Sequence, residues 1–475
     1  MNILVLNGSP KGEYSITLQT VRYLEKLHPE HVFDVLHVGQ RIRTLEKDMQ
    51  PALDKLKAAE LILFSYPVYT FIAPYQLHRF IELVKENGVD LRGKWATQLS
   101  TSKHFYDITA HRYIQDNCAD LGLRYIKGLS ADMDDLTTEK GRKEAEAFFD
   151  YVCWCIEHDH YEPLPETQPA PKHVAVTVPA SFLCHAPETT YSDTTTAETT
   201  ALSDTQIDRL CADKPGDVVI LTDCEEDNHQ LQSMIDRFRV KFTRKTRIVN
   251  LREYKFNGGC LGCFNCAVSG KCVHKDGFDD YLRNNIQTAE AIVMAFTVKD
   301  HSMGALFKLY DDRQFCNGHR TVTMGMPMGY LVSGNYSREF NLQMILESRA
   351  QVGSNFLAGI ATDEFDPNHE IDKLADTLSY ALEHSYVPPQ NFYGIGGMKI
   401  FRDLIWLMQG MMRADHKFYK AHGQYDFPQK KWPRMLAMYL VGTLIANPKL
   451  KAKAGNMMNE GMLMPYKKLF EKMEK

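Results

Sequence analysis

Four cysteines, Cys260, Cys263, Cys266 and Cys272, fall within thirteen residues in the pattern Cys-x2-Cys-x2-Cys-x5-Cys. Thiolates at two-residue gaps can wrap one loop around a cube-like inorganic centre, and a fourth placed after a glycine closes the cage. Gly259, Gly262 and Gly270 relieve crowding where backbone must approach inorganic sulfide. A structural zinc site more often splits its ligands into two pairs separated by a dozen or more residues. The spacing therefore points first to a [4Fe–4S] cluster, with zinc and metal-free thiols as the alternatives. The other seven cysteines, Cys118, Cys153 and Cys316 among them, are scattered between apolar residues and read as buried small hydrophobes. An odd total of eleven in a long chain argues against a disulfide framework.

A second set of residues suits a phosphate. The segment Asn7-Gly8-Ser9-Pro10-Lys11-Gly12-Glu13-Tyr14-Ser15-Ile16-Thr17 follows a short apolar run and opens a helical pattern. Ser9, Ser15 and Thr17 offer hydroxyls, Lys11 a cation, and the helix start directs free N–H groups at the loop. It is neither the Gly-x-x-x-x-Gly-Lys-Ser/Thr loop of triphosphatases nor the Gly-x-Gly-x-x-Gly of dinucleotide folds. Alone, such a loop is as readily a plain turn. Two further loops add to it: Ser65 to Pro74, with Pro67, Val68, Tyr69 and Thr70, and Ser100-Thr101-Ser102-Lys103-His104. Both fall where a planar ring bound at the first loop would extend, although Tyr66 and Tyr69 taken singly could be core aromatics.

These loops need a scaffold, and the chain supplies one twice. Ile3 to Leu6, Leu61 to Phe64, Trp95 to Leu99 and Tyr125 to Leu129 read as buried strands with helices between them, which implies a parallel sheet covered on both faces. Proline- and threonine-rich sequence follows from about Glu162 to Pro215, with one strand expected at Val174 to Val178. The alternation then restarts at Val218 to Leu221, continuing through Ala291 to Met294, Tyr330 to Val332 and Phe356 to Ile360, so the domain is duplicated. The expected division is 1–158, a linker 159–215, 216–385, and a helical extension 386–475. From Tyr386 onward 15 Lys/Arg stand against 6 Asp/Glu, in a chain whose net charge is −5. That total gives no sign of a nucleic-acid partner. Nothing apolar reaches the roughly 18 residues needed to span a bilayer, and the strand pattern beginning at Met1 argues against a secretory leader, so a cytoplasmic location is expected.

With its three loops in this order, the stretch from residue 1 to about 155 resembles the flavodoxin-like NAD(P)H-dependent FMN reductase and quinone reductase families. Their hallmark is a strand, Gly-Ser-Pro-Arg/Lys, a Ser-x-Thr helix start, then Pro-x-Tyr and Thr-Ser-Gly loops. Lys11 stands at the basic position, and Ser102 replaces the usual glycine. The resemblance implies a doubly wound α/β fold with five parallel strands in order 2-1-3-4-5. It also implies FMN held by Ser9, Pro10, Lys11, Ser15, Thr17, Pro67, Val68, Tyr69, Thr70, Ser100, Thr101 and Ser102, with NADH or NADPH as electron donor. The cysteine run, followed by Val273-His274-Lys275-Asp276-Gly277-Phe278, resembles the iron–sulfur flavoprotein family, in which the cluster motif follows strand two; here it follows Ile248 to Leu251. Some relatives with a similar run hold no cluster.

The second copy departs from the flavin pattern. Its first loop is Thr222-Asp223-Cys224-Glu225-Glu226-Asp227-Asn228, and its Pro-x-Tyr position has become Thr297-Val298-Lys299. An FMN phosphate carries about −1.5 to −2. A carboxylate at about 5 Å and an effective dielectric of about 20 opposes each unit of that charge by roughly 3 kcal/mol. One flavin per chain is expected, in the first domain. That domain in turn has Val38-Gly39-Gln40-Arg41, without cysteine, where the second carries its cluster loop. The complementary losses suggest a fused pseudo-dimer, with the cysteines facing the flavin across a pseudo-twofold axis. The function expected is electron transfer through FMN, and through the cluster, to a quinone, nitro compound or other small organic acceptor. The competing classes are an electron-transfer flavoprotein partnering ferredoxin-like proteins, and a zinc-stapled non-redox binding protein. A homo-oligomer is compatible with either redox class, and no catalytic side chain stands out.

Overall fold

The computed structural model describes residues 1–163, 172–178, 204–212, 214–449, 463, 467 and 469–473. The first sheet comprises β1 (Asn2–Asn7), β2 (Val32–Leu36), β3 (Leu61–Pro67), β4 (Trp95–Ser102), β5 (Arg124–Tyr125) and β6 (Leu129–Asp132). All pairings are parallel, in the order β2-β1-β3-β4-β5, with β6 also on β4. The strand expected over Tyr125 to Leu129 is thus two short pieces. A Cβ at Gly128 would lie 2.3 Å from the Gln98 carbonyl oxygen, so the chain there runs too close to β4 for an ordinary side chain.

Strand side chains alternate between two layers, as period-two geometry demands. Ile3 and Val5 pack with Leu18, Val21 and Leu24 of α1 (Ile16–Leu27). On the other face Leu4 and Leu6 join the helices α2 (Val38–Leu45), α3 (Gln50–Ala58), α4 (Tyr75–Glu86) and α5 (Asp107–Asp120). The segment Val38 to Arg41, read as a loop, is the first turn of α2. Helix α6 (Glu139–Glu157) closes the α1 side.

After α7 (Asp204–Ala212) the plan repeats with β7 (Val218–Thr222), β8 (Thr246–Asn250), β9 (Ala291–Thr297), β10 (Pro327–Ser333) and β11 (Phe356–Thr362) in order β11-β10-β9-β7-β8. Its helices are α8 (His229–Lys241), the short α9 (Asn265–Ser269) and α10 (Phe278–Tyr281), then α11 (Gly304–Arg313), α12 (Phe340–Val352) and α13 (Pro367–His384). The chain therefore holds two flavodoxin-like α/β sheets. Residues 172–178 form no regular strand, contrary to expectation. They run extended over the second copy, where Val174 N–H donates to the Asp363 carbonyl and Arg237 reaches the Thr177 carbonyl. The Thr-rich stretch Thr189 to Thr200 lies outside the described residues.

The copies pack through equivalent elements, α4 on α11 and α5 on α12. Tyr75 N–H, at the start of α4, donates to Asp312 of α11 at 2.7 Å; Ala305 N–H, at the start of α11, donates to Glu82 of α4 at 2.7 Å. His78 of α4 reaches Asp300 in the loop after β9, and Lys308 of α11 reaches the Tyr69 carbonyl in the loop after β3. The first two contacts mirror each other at positions exchanged by 230 residues, and the last two come from residues equivalent to within one position. The two loops also share their backbone: Thr70 and Phe71 have positive φ, as do Asp300 and His301. This is the expected pseudo-twofold.

Helix α14 (Phe392–Leu407) belongs to the same compact unit, Met1–Lys417, and lies on α12. Residues Phe418–Lys475 form a second unit containing a helix over Trp432–Ile445. Among the described residues no helix is long and apolar enough to cross a membrane.

Candidate functional site

The loop after β1 is set by Asn7, whose amide donates to the Gly12 carbonyl (3.0 Å) while its Oδ1 accepts from Ser9 N–H (3.2 Å). Gly39 supports it from below, since a Cβ there would sit 2.1 Å from the Ser9 carbonyl oxygen. Ser15 caps α1 by accepting from Leu18 N–H. Thr17 Oγ1 lies 2.6 Å from Thr101 Oγ1, tying this loop to the one after β4. The result is a helix N-terminus ringed by hydroxyls, the arrangement that favours an anion.

The loop after β3 turns sharply through Thr70 (φ 44°) and Phe71 (φ 75°), and the pair Tyr69–Ile72 closes it with two backbone hydrogen bonds. Lys308 of the second copy clamps the Tyr69 carbonyl at 2.6 Å, its charge balanced by the buried Asp312 at 2.7 Å. In the loop after β4, Ser102 Oγ accepts from His104 N–H, and Lys103 is paired with Asp132 and Asp134. Ser100 turns away to His111 (2.8 Å), whose burial pulls its imidazole down to about 4.

The cysteine loop is bound from several sides. Arg313 forks onto Asp276 (2.7 and 2.7 Å) and also donates to the Gly258 carbonyl; the pair holds the Asp276 carboxyl well below the usual carboxylate range, against the opposing effect of burial. Arg283 donates to the Gly270 carbonyl, and Cys272 N–H to Asp279. Arg320 donates to the Cys266 carbonyl while pairing with the fully buried Asp415 (2.9 Å). Gly258, Gly262 and Gly270 adopt positive φ. Burial pushes the Cys260 thiol up, and that of Cys266 up to about 11. Cys263 is exposed.

All four cysteines line one cavity of about 410 Å³ together with Ser9, Lys11, Ser15, Thr17, Pro67, Val68, Tyr69, Thr70, Thr101 and Ser102. Pro10 and Ser100 do not line it. The contact between the two loop sets is direct: Lys11 Nζ lies 5.4 Å over the Phe264 ring, and a Cβ on Gly262 would meet the Tyr69 hydroxyl at 2.0 Å. The volume falls within the ~300–1,000 Å³ typical of small-molecule sites. The hydroxyl-ringed helix start and the loops beside it suit a phosphate joined to a planar ring.

The second copy's own first loop is filled from within. Glu225 pairs with Arg252 and Lys299, and Arg252 also donates to the Asp223 carbonyl. Burial raises the Asp223 carboxyl to about 6. The repulsion expected of this acidic loop is thus partly neutralised by Arg252 and Lys299. Sequence reasoning missed the supporting roles of Gly39, Lys308, Arg313 and Arg320. Each acts from outside the loops it supports, so no contiguous motif marks it.

Residues 1–138 match the family model described as flavodoxin-like fold (Flavodoxin_2). An iron-sulfur flavoprotein of Archaeoglobus fulgidus is 25% identical over 186 residues, which cover 37% of this chain and 83% of that protein. FMN-dependent NADH:quinone oxidoreductase 2 of Pseudomonas syringae pv. tomato is 32% identical over 118 residues, 19% of this chain and 56% of the relative. Among solved structures, an apo NADH:FMN oxidoreductase overlays 32% of this chain and 87% of its own with 18% identity and a TM-score of 0.28.

Proposed function

We propose that this chain is an FMN-dependent oxidoreductase that takes electrons from NADH or NADPH and delivers them to a small organic acceptor such as a quinone or nitro compound. The observation that carries the reading is the single cavity shared by the hydroxyl-rich loops of the first copy and the four cysteines of the second. For a quinone the balance is NAD(P)H plus a proton plus quinone, giving NAD(P)+ and hydroquinone. FMN, when bound, accepts a hydride and releases electrons one or two at a time, and a [4Fe–4S] cluster carries one.

In this reading Ser9, Ser15, Thr17 and Lys11 hold the phosphate. Pro67 to Thr70 and Thr101 to Ser102 bound the ring, and Cys260, Cys263, Cys266 and Cys272 hold the cluster. Tyr69 touches both sets and fixes their separation. The functional units are 1–158 and 216–385, joined by 159–215, with 386–475 as an extension. The names of the relatives support the flavin and the nicotinamide donor. The ten described cysteines are all free, which fits a reducing cytoplasm. The exposed Cys263 favours a second reading, in which a ferredoxin-like protein exchanges electrons at that edge.

The test is an anaerobic spectrum with flavin, iron and sulfide quantified on one preparation, followed by NAD(P)H oxidation with menadione. Ser9→Glu with Lys11→Glu should abolish flavin and leave the brown cluster absorbance. Cys263→Ala should remove or degrade the cluster, and Cys118→Ala should not. One zinc and no sulfide would sink the redox reading; flavin retained in the double variant would sink the site.

A further inference from the structure

Six aromatic side chains on that cavity wall form a chain of contacts whose two ends, Tyr69 and Phe71, lie in one loop. Tyr69 meets Phe315 edge-on (5.9 Å between centroids), Phe315 meets His319 (6.2 Å), and His319 meets Phe401 (4.8 Å). Phe401 stacks on Phe105 at 4.2 Å and 26°, Phe105 meets Phe71 at 5.2 Å, and Phe71 returns to Tyr69 along one loop. All six line the cavity. Four segments of the chain build this collar: two loops of the first copy, the segment after α11, and α14, which belongs to neither copy. His319 is held in place by Asp415 at 3.0 Å.

Apart from Lys11 at the first loop, the cationic side chains of the same wall are ion-paired: Lys103 with Asp132 and Asp134, Arg313 with Asp276, Arg320 with Asp415, and Arg349 with Asp311. Ring faces and edges arranged in this way attract other planar π systems and offer no ion pair to a multiply charged anion.

We propose that the collar is the acceptor subsite, that it takes a planar, uncharged aromatic electron acceptor, and that Phe401 of α14 is its specificity-determining residue. This deepens the redox reading above and rests on it. Helix α14 is thereby part of the substrate wall.

The experiment uses the full-length protein with flavin and iron loaded, and compares Phe401→Ala and Phe401→Leu with the parent. Acceptors are menadione, a neutral nitroarene, and ferricyanide, a multiply charged ion that needs no aromatic contact. The KM for menadione should rise about tenfold or more in both variants, the usual scale for losing one apolar contact in a pocket. Flavin content and the ferricyanide rate should not move. A matching rise for the nitroarene assigns the subsite to planar rings in general, and a rise for menadione alone assigns it to quinones. Phe401→Leu keeps apolar bulk without the ring, so it separates stacking from packing if the alanine variant folds poorly. Unchanged KM values in Phe401→Leu, or an equal fall in ferricyanide rate, would overturn the proposal. Absence of flavin from the parent would overturn the redox reading itself, a distinct outcome.

Discussion

At the scale of single residues, the two halves of the site leave no room for a side chain at Gly262. Its φ of 60° belongs to the left-handed region, and any Cβ would strike the Tyr69 hydroxyl at 2.0 Å. Gly262→Ala should therefore cost about 2–3 kcal/mol, combining backbone strain with a clash that displaces Tyr69 from the cysteine loop. Gly88 is the control: its φ is 58°, but nothing lies within 4 Å of its added Cβ. Gly88→Ala should cost only about 1 kcal/mol. Chemical denaturation gives both values, and iron content should fall in the first variant alone. Equal costs would show that the Tyr69 contact yields freely.

At the scale of elements, each of the helices α4 and α11 has its N-terminus capped by a carboxylate of the other. The exchange satisfies N–H groups that a helix start leaves open, and the negative charge sits at the positive end of each dipole. Glu82→Gln keeps the shape of one cap and should cost about 1–2 kcal/mol. Asp312→Asn also strands the buried Lys308 ammonium, so about 3–5 kcal/mol is expected. Both are read from urea unfolding, and a double variant tests whether the caps are coupled. A smaller loss for Asp312→Asn than for Glu82→Gln would mean that Lys308 finds water. None of this reciprocity was visible beforehand, because Glu82 and Asp312 look like ordinary helix-surface acids when each is viewed on its own helix.

At the scale of the whole molecule, His301 pins the two copies together, with Asp120 of α5 at 3.0 Å and Glu339 beside α12 at 3.0 Å. Despite burial, which opposes the charge, these two carboxylates raise the imidazole to about 10. A folded-state value above the unfolded one means stability that is fully present below about pH 6.5 and is lost as pH rises toward 10. His301→Asn tolerates the φ of 60° at this position. It should destabilise the protein by about 1–3 kcal/mol at pH 6, and the difference from the parent should shrink by pH 10. Thermal unfolding of both proteins at pH 6, 8 and 10 measures it. A pH-independent difference would mean that packing, not charge, is what His301 contributes.

The sequence alone carried whatever is written in contiguous residues. A buried strand is a run of Ile, Leu and Val; a phosphate loop is glycine and hydroxyls ahead of a helix; a four-cysteine cage is a spacing. The β1 loop, the Tyr69 loop, the cysteine run and the repeated strand–helix alternation were legible for that reason, whereas the strand order came only as what the family resemblance implied. Gly128 marked no break in advance, since its closeness to β4 is a matter of register, and Val174 to Val178 looked like a strand because extended apolar segments share one pattern whether or not a ladder accepts them. Tertiary structure decided which loops share a cavity, because side chains numbered from 9 to 401 converge only when two sheets dock through α4 and α11. It also turned an acidic loop into a set of ion pairs, since Arg252 and Lys299 lie far along the chain from Glu225 and near it only in the fold. An aromatic collar is the extreme case: phenylalanine is common core material, and only geometry tells a packed ring from one that faces a ligand.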